Sequence, residues 1–542
     1  MDIWTYSAVI AFLSLDTTAV GQFMISRPIV VGTVIGLLVG DPCLGLGIGG
    51  LIELLWIGQL PVGNNLPLDV TLLTGLTVVL ADGFNAQAGK AVPREALFIF
   101  AMSVSIPLAL LSSEAEQALR RFHRHWVRWA QKKMEEGRFF QADLVNAAVV
   151  LELFLKAFLM SAFGIWLLRL ITPWFLNSPP GILHGFMYAH WFLMALGCAA
   201  ALDLLVERRS LPFFILPAVS AGVVGFFLRV EAIYLILVAL LVGLMFCYRD
   251  YRSHAAHRMA EPFSATDSRP SIPRGTLFAT YLRMFFFQTV WNFERGINYG
   301  FAYIMAPVLK RFFPAEERSR SLVRHLEYFN TQPYLASYIV GAVVRMEAER
   351  ASLPQGRQKQ KEEEISALKL GMMSPAAALG DNLFWATIRP FAGLIAINLI
   401  FTESFRVSWY HLLIPLVFLT VYNAPHLLVR TSGFIQGFRL GDQVVLAMKQ
   451  LGFQEAVHGL RSASAVVLGV LVVCMNYYEM QKGLTLFALK MVFFCAMIGL
   501  YSYFLHKRVN VALLFYSIVL FALILAYWPD LSASPPFMGN QH

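Results

Sequence analysis

The sequence predicts an all-α protein that crosses a membrane several times, and three observations predict it. Of 542 residues, 57% are hydrophobic and only 14% charged, against roughly 25% charge in an average soluble domain. With a mean hydropathy of +0.60, the chain cannot cover a water-facing surface. The apolar runs approach the ~20 residues that a helix needs to cross the hydrocarbon core. They are also apolar on every face, whereas a membrane barrel alternates polar and apolar residues. A large soluble helical core is the alternative, and the low charge argues against it.

At the N-terminus, Asp2 stands where a signal peptide carries positive charge, so the first apolar segment is expected to remain in the mature protein. The run Asp41 to Asp69, DPCLGLGIGGLIELLWIGQLPVGNNLPLD, comes next. Gly45, Gly47, Gly49 and Gly50 allow close packing or a break in the helix. Glu53 lies within apolar sequence, and Asn64, Asn65 and Asp69 follow around Pro61 and Pro67. A carboxylate at membrane depth is costly and ordinarily faces a cavity, a partner or a substrate. Broken segments free backbone groups that line polar cavities, and carboxylates and amides bind sugar hydroxyls well. The alternative for Glu53 is an ion pair with a buried arginine such as Arg27 that only orients helices. Asn64 and Asn65 are equally suited to capping turns.

The stretch from Glu114 to Gln141 is amphipathic and helical in charge pattern. Its cluster Arg120, Arg121, Arg124, Arg128, Lys132, Lys133 and Arg138, like Arg249, Arg252 and Arg258, is assigned to the cytoplasm by the positive-inside rule. Topology therefore accounts for the net charge of +9, and no nucleic-acid partner is expected. Membrane-grade sequence resumes at Ala147–Leu170, Leu211–Phe227 and Ile233–Phe246.

From Arg249 to Arg274 the chain is rich in Ser, Pro and charge and lacks apolar periodicity, which marks a linker. It divides the chain into a membrane domain at 1–248, a cytoplasmic linker at 249–275 and a second membrane domain at 276–542.

The second domain opens with mixed-polar sequence up to about Leu368. WNFERGINYGFAY (Trp291 to Tyr303) precedes RHLEYFNTQPYLASYIVGAVVRMEAE (Arg324 to Glu349), where Arg324, His325, Glu327, Asn330 and Gln332 concentrate hydrogen-bonding groups. His325 titrates near neutrality if unperturbed; a surface or interface role is the plainer reading. Glu347 to Glu364 is expected to form a solvated loop or frayed helix. In Gly371 to Pro390, GMMSPAAALGDNLFWATIRP, Asp381 is placed to cap a helix that ends before Pro390. Asp381, Trp385 and Arg389 are spaced four apart and share a face. Interface anchoring of Trp385 and snorkelling of Arg389 are the alternatives. The runs Leu412–Val421, Ala465–Met475 and Val511–Trp528 supply further spans.

Each half thus has a Gly-interrupted apolar segment with an embedded acid and a nearby Trp, a pairing that points to a transport site between them. The five cysteines, Cys43, Cys198, Cys247, Cys474 and Cys495, are scattered through apolar sequence, so neither a disulfide framework nor a structural zinc is expected. There is no Walker sequence, GxSxG elbow or metal-ligand motif. No cofactor or metal is expected, and ATP-driven pumping by this chain alone is not.

Two sets of motifs resemble a known family. Gln22 to Asp69 is similar to the enzyme IIC component of the mannose/fructose/sorbose phosphotransferase family. WNFERGINYGFAY, RHLEYFNTQPYLAS and LGMMSPAAALGDNLFWATIRP resemble its enzyme IID component. The resemblance implies two related helical halves in inverted arrangement, assembled as homo-oligomers, with a trimer expected. It implies a bacterial inner-membrane permease for a hexose or amino sugar, served by cytoplasmic IIA and IIB proteins. A phosphohistidine on IIB would phosphorylate the bound sugar, and no phosphorylated residue is expected in this chain. Carried over by position, Glu53, Asn64, Asn65 and Asp69 line the IIC side of the site, and His325, Asn330, Asp381 and Arg389 the IID side. Glu53 or Asp69 is the candidate acceptor of the hydroxyl proton. The chain departs from the family pattern in joining IIC to IID, and in a shortened region after Tyr478. A transporter that does not phosphorylate, and a membrane anchor or sensor for IIB, are the rival functions.

Overall fold

The computed structural model describes residues 2–60, 66–88, 93–207, 209–228, 231–255, 271–402, 409–445, 448, 452–477 and 484–527. The protein is an all-α, multi-pass membrane protein. Among the described residues, seven helices are long and apolar enough to cross a membrane. Among the described residues, β pairing is confined to isolated bridges at Asn292, Gly296 and Phe329.

In the first half, α1 (Ile3–Thr18) leads through an irregular loop to α2 (Pro28–Val39) and α3 (Pro42–Leu55). With 12 and 14 residues, α2 and α3 are too short to span, and they form a broken hairpin of the kind the glycines predict. Pro28 starts α2, Gly40 ends it at a φ of 93°, and Asp41 caps α3 by accepting from the Leu44 amide at 2.9 Å. The helices touch backbone to backbone: a Cβ on Gly45 would strike the Gly32 carbonyl, and one on Gly49 the Pro28 carbonyl.

Helix α4 (Val70–Ala88) precedes α5 (Arg94–Glu135), which runs unbroken from apolar sequence through the charged stretch. Gly137, at a φ of 72°, turns the chain into α6 (Phe139–Leu176). The outer part of α5 buries Val127, Ala130 and Met134 against α6 and against the second half. Helices α7 (Pro180–Leu205), α8 (Leu211–Leu228) and α9 (Ala232–Ala255) complete this half. Helix α9 continues into the expected linker as far as Ala255; 256–270 lie outside the described residues.

The second half contains α10 (Arg274–Arg283), α11 (Asn298–Phe312), α12 (Ala315–Arg324), α13 (Ala336–Ser352) and α14 (Gln355–Gly380). A π-helical turn, Asp381–Ile388, joins α14 to α15 (Arg389–Ile400). Then follow α16 (Tyr410–Leu440), α17 (Phe453–Cys474), α18 (Leu484–His506) and α19 (Val511–Ala526).

Two expectations are corrected here. Glu347 to Glu364 is helical on either side of Leu353 and Pro354 and largely exposed from Gln355 to Glu364, as expected, but its start is not solvated: Glu347 and Arg350 are buried at 0% and 1% exposure in α13. The helix also neither starts at Asp381 nor stops before Pro390. Proline removes a hydrogen bond and crowds the preceding turn; the wider π turn provides that room. The Thr387 hydroxyl donates to the Asn382 carbonyl across it at 2.8 Å.

The halves are interleaved instead of merely adjacent. Helices α8 and α9 of the first half pack on α17 of the second, while α18 and α19 of the second pack on α7 of the first. The largest buried apolar cluster accordingly draws on both halves.

Candidate functional site

A cavity of ≈ 500 Å³ lies between the halves, within the roughly 300–1,000 Å³ typical of small-molecule sites. From the first half its wall takes the α1 end, the loop before α2, the segment before α4 and facing sides of α5 and α6. From the second it takes the loops around Trp291 and Asn330 and the end of α14 with the π turn.

On the first-half side the charged groups form a connected series. Asp69 caps α4, accepting from the Leu72 amide at 3.0 Å. Its other carboxylate oxygen accepts from Ser112 Oγ at 2.7 Å and faces Lys156 Nζ at 3.5 Å. Lys156 also bridges to Glu116 at 3.2 Å, and Glu116 accepts from Arg120 at 2.7 Å. The Arg120 guanidinium lies 5.2 Å from the Trp291 ring centre, and Trp291 Nε1 donates to Asn330 Oδ1 at 3.4 Å. Buried charge is tolerated when paired in this way.

Glu53 does not line the cavity. It is wholly buried and binds Arg27 through Nη2 at 2.6 Å and Nε at 3.1 Å; Arg27 is the wall residue. This is the helix-orienting arrangement that the sequence left open. Arg389 lines the cavity and is 2% exposed, donating to the Ile57 and Gln59 carbonyls at 2.6 and 2.9 Å. It thereby satisfies backbone groups released where α3 ends.

Asp381 and Gln332 differ from these. Asp381 lines the cavity, and among the described residues its carboxylate has no ion pair or hydrogen bond. Gln332, 2% exposed, holds the turn that leads into α13 by accepting from the Tyr334 and Leu335 amides at 2.8 and 3.0 Å. That fixes which amide atom is oxygen, and it leaves Nε2 buried without a partner. Gly380 makes the approach possible: a Cβ there would lie 2.6 Å from Gln332 Cγ.

The structure therefore brings Asp69, Asn330, Asp381 and Arg389 to one cavity and sets Glu53 behind Arg27. Asn64 and Asn65 lie outside the described residues. His325 belongs elsewhere: it is buried, with Nε2 3.0 Å from Glu347 Oε1. Arg324 and Arg350 hold the same carboxylate. Burial pushes the His325 imidazole down to about 4. For Glu347 burial pulls upward, but the His325 hydrogen bond and the arginines outweigh it and hold the carboxyl well below its usual range.

Sequence reasoning missed Lys156, Glu116 and Gln332 as wall residues and read Arg120 as topology alone. Lys156 was detectable, being a cation in the middle of the apolar run Ala147–Leu170. Glu116 and Arg120 were hidden in a helix rich in charge. Among the described residues, no group of His, Cys, Asp and Glu is placed to hold a metal.

Comparison with known proteins gives a consistent picture. The family model described as the sorbose-specific IIC component of the phosphotransferase system matches residues 3–248, and that of the mannose/fructose/sorbose family IID component matches 271–529. The mannose-specific EIID component of Escherichia coli K12 is 32% identical over 212 residues, 38% of this chain and 70% of the relative. The fructose permease IID component of Bacillus subtilis is 32% identical over 36% of this chain and 68% of its own length. For the first half, the sorbose-specific EIIC component of Klebsiella pneumoniae is 25% identical over 42% of this chain and 84% of the relative. The cryo-EM structure of the mannose transporter ManYZ with microcin E492 is 27% identical, covering 47% of this chain and 97% of that one, with a TM-score of 0.28.

Proposed function

The chain belongs to the mannose/fructose/sorbose family of phosphotransferase-system sugar permeases, as a IIC component followed by a IID component, and from that premise we propose that it binds a hexose or amino sugar in the cavity between its halves and delivers it to a IIB phosphohistidine. The observation that carries this reading is the cavity itself, because its hydrogen-bonding wall is complete only when both halves contribute. A sugar offers hydroxyls in several directions, and this wall answers with carboxylates, amides and cations from two sides.

The sugar passes to the cytoplasm by movement of one body against the other around the site. IIB, itself charged through IIA, docks on the bacterial inner membrane's cytoplasmic face. Supporting that location, the basic outer part of α5 and the Arg324 region meet there: Ser319 on α12 bonds the Met134 carbonyl near the α5 end. In the phosphoryl step the protein positions the acceptor hydroxyl. Of the two carboxylates first considered for its proton, Glu53 is paired with Arg27 and Asp69 with Lys156. Trimeric assembly is part of the same reading.

The test is phosphorylation of labelled hexoses by membranes holding the chain, with and without IIA and IIB. Sugar phosphate formed only with IIB and phosphoenolpyruvate is the expected outcome and names the substrate. Uptake without phosphorylation establishes a secondary transporter, and neither activity leaves an anchor or sensor.

A further inference from the structure

We propose that Asp381 accepts the proton of the sugar hydroxyl that becomes phosphorylated, and that Gln332 holds that hydroxyl; this rests on the phosphotransferase reading above. The cavity wall contains three acids, Asp69, Glu116 and Asp381. Asp69 and Glu116 are committed to Lys156, and Glu116 to Arg120 as well. A carboxylate held by cations has its oxygens already engaged and would have to give up those contacts to take a proton from the substrate. Asp381 alone of the three has both oxygens without a described partner, and it faces the substrate space.

Gln332 supplies the complementary group. Its oxygen is occupied by two backbone amides, so the Nε2 hydrogens are the part left to bond. A buried donor without a partner is costly, and such cost is expected where a ligand completes the bond. The site is local, since Gly380 packs on the Gln332 side chain and Asp381 is the next residue. The π turn begins at Asp381, and single π turns recur at functional positions. In the proposed complex a hydroxyl beside Asp381 donates to one of its oxygens and accepts from Gln332 Nε2 once that amide, closed off from the cavity in this structure, turns to meet it, which leaves one lone pair for the incoming phosphorus.

The step balances within the proposed partners. The hydroxyl oxygen forms the O–P bond while the N–P bond to the IIB histidine breaks. The electron pair of that bond remains on the imidazole nitrogen. The hydroxyl proton moves to Asp381, which then releases it to water.

The experiment uses the full chain in membranes with IIA, IIB and phosphoenolpyruvate, and as probe the hexose that the unchanged chain phosphorylates. Asp381→Asn should lower kcat by about 10²–10⁴-fold, the usual contribution of a general base, while equilibrium binding of that hexose without IIB is retained. The acid limb of the pH–rate profile should be present in the unchanged chain and absent from the residual activity of Asp381→Asn. Gln332→Glu keeps the oxygen that accepts from the Tyr334 and Leu335 amides and replaces the donor by an acceptor, so it should weaken hexose binding by about 10-fold or more, the effect of one mismatched hydrogen bond. If Asp381→Asn does not accumulate in membranes, Asp381→Glu decides: a shifted acid limb with lowered kcat supports the assignment, and an unmoved limb overturns it. An unchanged kcat in Asp381→Asn overturns the proposal and leaves the phosphotransferase reading standing. Absence of phosphorylation by the unchanged chain with every hexose overturns both.

Discussion

At the scale of single residues, the chain ties most of its deeply buried described charges to fixed partners, and the Glu347 knot shows the consequences. One carboxylate serves Arg324, His325 and Arg350, and Arg350 also reaches Glu317 at 3.1 Å and Glu362 at 2.6 Å. Removing one member leaves buried cations uncompensated, so Glu347→Gln should cost about 3–5 kcal/mol, read as a lowered unfolding midpoint in detergent. The knot also predicts a pH dependence. The His325 pKa is about 4 in the folded chain against about 6.5 unfolded, so the unfolded chain binds more protons between those values. Stability should therefore be complete above pH 6.5 and fall as pH drops toward 4. Glu347, also depressed, adds loss in the same direction at the acid end. His325→Gln should flatten the decline; an equally steep decline in that variant would show that His325 is not its source. Lys156 makes the parallel case at the cavity. Lys156→Met strands Asp69 and Glu116 beside each other, and sugar affinity should fall even if the protein still inserts, as a binding titration against the unchanged chain would show.

At the scale of elements, the small residues act by position and not by number. Gly45 lies under the Gly32 carbonyl, whereas a Cβ on Gly47 of the same helix meets nothing within 4 Å. Gly45→Ala should cost about 1–3 kcal/mol by overpacking, while Gly47→Ala should be neutral or stabilise by roughly 0.5–1 kcal/mol from helix propensity. Thermal unfolding of the pair checks this, and equal effects would mean that the hairpin is not packed backbone to backbone. The contrast also marks what the sequence made legible. The glycine run announced a broken, closely packed segment, but which glycine touches a neighbour depends on the opposing helix. The spacing of Asp381, Trp385 and Arg389 predicted a shared face, and all three line the cavity. The π turn that carries the first two was not legible, because the capping preference of Asp and the stop signal of Pro are local signals that tertiary packing overrode. Likewise Glu347 read as solvated, since its pairing with Arg324 and His325 is made across a loop. The wall formed by Lys156, Glu116 and Arg120 joins different helices, so no local pattern announces it.

At the scale of the whole molecule, the linker is not what holds the halves together. The first half's α8 and α9 grip α17, and the second half's α18 and α19 grip α7, with Gly185 against Leu523 and Gly243 against Ala463 close enough that a Cβ would fall within 3 Å of its neighbour. Polar latches reinforce this packing. Arg389 holds the Ile57 and Gln59 carbonyls. Arg430 donates to Gln22 Oε1 at 3.2 Å, and Tyr334 donates to the Gln22 carbonyl at 3.0 Å. Gln22 and Met24 adopt φ values of 63° and 65°, a conformation that costs non-glycine residues free energy and persists only when surrounding contacts enforce it. Asp16 of the first half supplies some of those contacts, accepting from the Gln22 and Phe23 amides, and the second half supplies the others, so the loop that leads into Arg27 and the cavity wall is held from both sides. A protease site placed within residues 256–270 should accordingly cut the chain without separating it: both fragments should migrate together in mild detergent and retain sugar binding. Arg430→Met should leave the intact chain inserted but loosen the cut one, because the Gln22 loop then loses a bond that holds its strained backbone. Separation of the unaltered fragments on cutting alone would show that covalent joining, and not interleaved packing, keeps the site complete.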